Sequence, residues 1–122
     1  MTEITDHLAQ IFERVARAAQ RAGRSPNSVT IVAVGKQQPA SAIAEAQRAG
    51  IADFGESYVQ EALPKIAALA GSPITWHFVG KMQANKTRQV AEAFDWVHTV
   101  DRLKIAERLS EQRSPFAQPL NV

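Results

Sequence analysis

Lys36, Glu56, Ser57, Tyr58, His77 and His98 are the residues best placed by type and position to do chemistry, each lying in or just after an apolar stretch. In "TIVAVGKQQP" such a stretch closes on Gly35 and Lys36. A lysine there can be a solvated strand exit, a phosphate contact or a nucleophile. A Walker phosphate loop needs glycine five residues before the Gly-Lys pair and Ser or Thr after it. Thr30 and Gln37 hold those places, so that reading fails. A carbonyl-trapping lysine must be neutral to attack, and an apolar strand end disfavours the ammonium form. Gly35 removes a side chain where a planar ring would approach.

"FGESYVQE" reads as a helix start with Ser57 as its cap, which leaves Tyr58 unexplained, and Glu56 can pair with a basic group nearby. "WHFVGKMQANK" is the densest stretch. His77 sits inside its apolar part, where a histidine is more often a satisfied core residue than a catalyst. Gly80 supplies the turn. Asn85 is suited to cap the helix that follows, and Lys86 and Arg88 in its first turn are placed to meet an anion or solvent. The chain has three histidines, His7, His77 and His98, at no metal-ligand spacing.

The 122 residues suit one domain, and 45% hydrophobic with 21% charged residues is a globular composition. Fourteen Lys and Arg against twelve Asp and Glu make no basic patch, so charge gives nucleic-acid binding no support. The absence of cysteine excludes disulfides, thiolate metal sites and cysteine nucleophiles. No apolar stretch nears the roughly 20 residues that span a bilayer, and the start does not read as a signal peptide. A cytoplasmic protein is expected.

The elements that must position these residues alternate. Ile4, Leu8, Ile11, Phe12, Val15 and Ala19 share one face of a first helix, with Thr2 as its cap and Gly23 at its end. Val29 to Val34 reads as a strand buried on both faces. There follow a helix from about Pro39 to Gly50, a strand at "IADFG", a helix over about Tyr58 to Ala70 and a strand at "ITWHFVG". A helix from about Asn85 to Ala93, a strand at "FDWVHTV" and a helix capped by Asp101 come next, and "PLNV" opens another strand. The spacing of roughly 20–25 residues is that of successive βα units, hence an α/β fold with a parallel sheet. A five-stranded doubly wound sheet and the first half of a (β/α)8 TIM barrel both satisfy it. In either case the functional face lies at the carboxyl ends of the strands.

Several of these stretches together resemble one family, the pyridoxal 5′-phosphate (PLP) homeostasis proteins, or YggS/PROSC family. Its "AVSK" followed by proline appears as "AVGKQQP", and its "FGENYVQE" as "FGESYVQE". Its "WHFIGxLQxNK" appears as "WHFVGKMQANK", and "FDWVHTVDRLKIAERL" and "AGRSP" also fit. The resemblance covers essentially residues 1–122 and implies the N-terminal part of an alanine-racemase-like PLP-binding barrel domain. It implies PLP held as a Schiff base on Lys36, with Ser57, His77 and Gly80 forming the pocket, and no metal. The implied role is intracellular PLP homeostasis, without established turnover. PLP-dependent apoenzymes are the implied recipients.

Two residues depart from the family pattern: Gly35 replaces serine and Ser57 replaces asparagine. Family members are also longer, and the part they add carries the loops that hold the phosphate. A half barrel exposes strand edges and an apolar inner face, so self-association is expected. Two other functions stand beside the carrier. One is a remnant or interaction module that holds no PLP. The other is a racemase-like PLP enzyme, disfavoured because Tyr58 is the only tyrosine and no cysteine can serve as a second base.

Overall fold

The computed structural model describes residues 3–122. Thr2, read above as a helix cap, lies outside them. Helix α1 (Glu3–Arg21) buries Leu8 and Ala19 on the face that the apolar repeat marks. It stops at Gly23, whose φ of 70° is in the left-handed region, and the Arg24 N–H donates back to the Ala19 carbonyl at 2.9 Å.

Strands and helices then alternate as β1 (Val32–Val34), α2 (Ala40–Arg48), β2 (Asp53–Glu56), α3 (Val59–Ala68), β3 (Thr75–Phe78), α4 (Thr87–Ala93), β4 (Trp96–Val97) and α5 (Leu103–Gln112). The sheet is parallel, with strand order β1-β2-β3-β4. Each strand lies beside the next in sequence, with no reversal of order. That is the progression of a (β/α)8 barrel and differs from a doubly wound sheet, whose strand order switches direction. Asn121 makes a parallel bridge with Trp96, so "PLNV" continues the sheet on the far side of β4.

The two faces of the sheet differ. Phe54, Trp76, Phe78 and Val97 point outward and pack with Ile43, Ala62, Val90, Phe94, Ile105 and Leu109 of the helical layer. Phe78 meets Phe94 edge-on, with ring centroids 5.4 Å apart. The inner face carries Val32, Val34, Asp53, Gly55, His77 and Trp96 at alternate positions, in register across the strands. This face is partly open. Val34 is 53% exposed and Trp96 36%. The expectation that the first strand is buried on both faces is therefore corrected, because helices cover one face only.

Three caps read from sequence are not made. Tyr58 stands at the N-cap of α3, and Ser57 is instead packed by its backbone against Gly80. Residues Ala84–Lys86 form a single 3₁₀ turn, so α4 starts at Thr87 and Asn85 is not its cap. Arg102 stands at the N-cap of α5, while the Asp101 carboxylate accepts from Arg102 Nε at 3.4 Å. Among the described residues no helix is long and apolar enough to cross a membrane.

Candidate functional site

Lys36 leaves β1 in a two-residue turn with Gln37 and is exposed. It makes no hydrogen bond or ion pair among the described residues. The burial expected to disfavour its ammonium form is absent. The turn itself is firmly held. The Gln38 N–H donates to the Gly35 carbonyl at 3.0 Å, and Gln37 takes a left-handed φ of 64°. That conformation costs a residue bearing a Cβ about 1 kcal/mol or more, so neighbouring groups must impose it.

The groups that do so belong to α3. The Lys65 ammonium donates to the Gly35 carbonyl at 2.7 Å, to Glu56 Oε1 at 3.0 Å and to Glu61 Oε1 at 3.2 Å. The same Glu61 oxygen accepts from the Gln37 N–H. Lys65 is 8% exposed and Glu56 fully buried. Glu56 thus has the basic partner expected of it, on the helix-facing side of the sheet. Burial pushes its carboxyl above the usual range, against the pull of Lys65, and its Oε2 has no partner. Glu61 is held below its usual value by the Gln37 N–H and by Lys65. A Cβ on Gly35 would lie 2.5 Å from Glu56 Oε2 and 3.1 Å from Ile43 Cδ1. Gly35 makes room for that carboxylate, not for a planar ring.

His77 is buried on the inner face with both ring nitrogens engaged. Nε2 lies 2.8 Å from Asp53 Oδ1, and Nδ1 lies 2.9 Å from His98 Nε2. Its ring stacks on Trp96, with centroids 5.6 Å apart and planes 8° from parallel. With both imidazoles neutral, the carboxylate requires His77 to donate from Nε2 and accept at Nδ1 from His98. The result is a carboxylate–imidazole–imidazole chain ending at the exposed His98, which fixes the orientation of the His77 ring.

Ser57 and Gly80 come together through backbone. A Cβ on Gly80 would sit 2.0 Å from the Ser57 carbonyl oxygen, so the close approach itself demands glycine. Thr99 Oγ1 donates to the Gly80 carbonyl at 2.6 Å. Lys36, Ser57, His77 and Gly80 thus all lie on strands β1 to β3 or just beyond their carboxyl ends. No group of three or more His, Asp or Glu among the described residues is arranged to hold a metal ion.

Sequence reading missed Lys65, Glu61 and Asp53. A signal for the first two existed: Val59, Ala62 and Lys65 share the buried face of α3. A lysine in that apolar repeat, four residues after a glutamate, calls for a buried partner.

Successive βα units with polar strand ends gathered on an inner face define a parallel barrel protein, of which these residues form roughly the first half. The chain belongs to the alanine racemase N-terminal domain family, which matches residues 7–122. It is 56% identical over 122 residues to the pyridoxal phosphate homeostasis protein of Pseudomonas aeruginosa, covering 100% of this chain and 53% of the relative. The Escherichia coli protein of the same name is 52% identical over 125 residues, with the same two shares. The chain spans about half the length of the curated relatives it matches. Among solved structures it resembles PipY of Synechococcus elongatus PCC7942, solved with PLP bound, at a TM-score of 0.69 and 46% identity. That match covers 80% of this chain and 47% of PipY.

Proposed function

We propose that this chain is the lysine-bearing part of a pyridoxal 5′-phosphate carrier in intracellular PLP homeostasis, with residues 1–122 forming the N-terminal part of its barrel domain. The observation that carries the reading is Lys36. It is an exposed amine, unpaired among the described residues, on an anchored turn at the carboxyl end of the first barrel strand. The likeness to a protein solved with PLP bound supports the choice of cofactor. When bound, PLP supplies an aldehyde that condenses with a neutral lysine amine.

The residues present fit that end of the cofactor. Lys36 is exposed, and the inner face of the same sheet carries the part-exposed Trp96 ring and the exposed His98 imidazole. Lys36 would hold the cofactor covalently, and Ser57, His77 and Gly80 would shape its pocket. Phosphate binding is assigned to the length of the relatives that this chain does not span. The role is carriage without turnover, in keeping with relatives named for homeostasis. The cytoplasm is the proposed location, and PLP-dependent apoenzymes are the proposed recipients.

Incubation with PLP, borohydride reduction and peptide mapping test this. Lys36 takes the label, and Lys36→Ala removes most of the incorporation, leaving only that of surface amines. Labelling spread evenly over Lys36, Lys81, Lys86 and Lys104 would defeat the reading.

Self-association is the second part of the proposal. Among the described residues no strand pairs with the outer edge of β1, and an apolar cleft of about 470 Å³ lies beside it, lined in part by Ile4, Leu8, Ala33, Ile43 and Phe54. Exposed edges and apolar faces of this kind favour pairing with another chain. Size-exclusion chromatography with light scattering should find a species larger than 13.3 kDa. A folded monomer at every concentration would rule self-association out.

A further inference from the structure

We infer that Glu61 and Lys65 are positioning residues for Lys36: a clamp on α3 grips the backbone on both sides of that lysine and sets the direction of its amine. This rests on the reading of Lys36 as the cofactor lysine.

The grip is asymmetric and complete. Before Lys36, the Gly35 carbonyl accepts from Lys65 Nζ at 2.7 Å. After it, the Gln37 N–H donates to Glu61. The two anchors are tied to each other, because Lys65 Nζ lies 3.2 Å from the same Glu61 oxygen. Glu61 and Lys65 are four residues apart on one helix, so a single rigid element supplies both. The turn thereby keeps Gln37 at its left-handed φ of 64°, a conformation its Cβ disfavours.

The clamp also selects the reactive amine. An ammonium has three N–H donors, and Lys65 uses all three on the Gly35 carbonyl, Glu56 and Glu61. Buried and fully engaged, it offers an aldehyde no free amine. Lys36, between the two gripped residues, makes no hydrogen bond or ion pair among the described residues. Glu56 serves the clamp from beneath by holding Lys65 in place at 3.0 Å. The acidic residues of "FGESYVQE" thus find their use in orienting a lysine in the turn after β1.

The test uses the full chain and the variants Glu61→Ala and Glu61→Gln, with PLP as the probe. Glu61 is half-buried, and both variants should keep the fold by circular dichroism. Two readouts are taken: amide exchange of Gln37, and borohydride-fixed label on Lys36 at limiting PLP. Glu61→Ala should speed Gln37 exchange and lower Lys36 labelling between about 5- and 50-fold, the range expected when a reacting group loses its orientation. Glu61→Gln keeps an oxygen acceptor for the Gln37 N–H and should recover much of both. Unchanged labelling in Glu61→Ala overturns the clamp's positioning role, whatever the amide does. Wild-type protein that does not label at Lys36 overturns the carrier reading instead, and Gln37 exchange then decides whether Glu61 holds the turn at all.

Discussion

Lys65→Ala should destabilise the protein by about 3–5 kcal/mol, the usual result of removing one partner from a buried ion pair. The variant leaves Glu56 fully buried with neither oxygen paired, since Oε2 has no partner already and Oε1 loses Lys65. It also takes from the Gly35 carbonyl one of its two donors, leaving the Gln38 N–H. Replacing both partners in Glu56→Leu/Lys65→Met removes the stranded charge and should recover most of the loss, but not the part due to that carbonyl. Urea denaturation of the three proteins measures this. A Lys65→Ala variant within about 1 kcal/mol of wild type would show that the pair is solvated and contributes as little as a surface salt bridge.

The pH dependence of that loss follows from the two carboxylates, and they pull in opposite directions. Glu56 is raised by burial, so stability from its protonated form is present below its ordinary value of 4.5 and declines as pH rises through the folded value. Removing Lys65 takes away the group that opposes this rise and widens that window. Glu61 is lowered by the Gln37 N–H and Lys65, so its contribution is present above 4.5 and is lost as pH falls through the folded value. The penalty of Lys65→Ala should therefore be smaller near pH 4.5 than near neutrality, where Glu56 in the variant must either ionise without a partner or bind a proton.

The order of elements could be read from sequence because each carries its own period: the three- and four-residue steps of α1, and the short apolar stretches at the strands. Periodicity alone does not choose between a barrel and a doubly wound sheet; the resemblance carried by the motifs implied the barrel, and the strand order agrees with it. The caps at Ser57, Asn85 and Asp101 failed because each side chain or its backbone is claimed elsewhere: by Gly80, by the turn at residues 84–86, and by Arg102. The site was legible in proportion to how local its causes are. Lys36 stands out as a polar end to an apolar strand. The ties that hold its turn join residues 24 and 30 positions apart, and the Asp53–His77 contact spans 24. Such pairs exist only once β1, β2 and β3 are in register. Gly35 shows the same limit. Sequence identifies a missing side chain, but only the packing shows that Glu56 occupies the space.

Gly80 presents the sharpest case of this kind, and Gly80→Ala should cost about 3 kcal/mol or more in the absence of any ligand. The added Cβ would meet Ser57 backbone atoms at 2.0, 2.8 and 2.9 Å, below any contact that real Cβ atoms make. No rotamer change relieves a clash with backbone, so the β2–α3 and β3–α4 connections would have to separate, and overpacking that the structure cannot absorb lies at the severe end of single substitutions. Separation would strain the ladder bond from Val79 N–H to the Glu56 carbonyl at 3.0 Å and the Thr99 bond to the Gly80 carbonyl. Gly23→Ala is the internal comparison. Gly23 has a positive φ with nothing within 4 Å of an added Cβ, so its substitution should cost only about 1 kcal/mol of backbone strain. Thermal and urea unfolding of both variants without PLP separates two explanations of Gly80. If the glycine exists to admit a ligand, apo Gly80→Ala matches wild type in stability and loses only PLP labelling. If it exists to let two strand ends touch, stability falls first, and the pocket around Ser57 is built by that contact before any cofactor arrives.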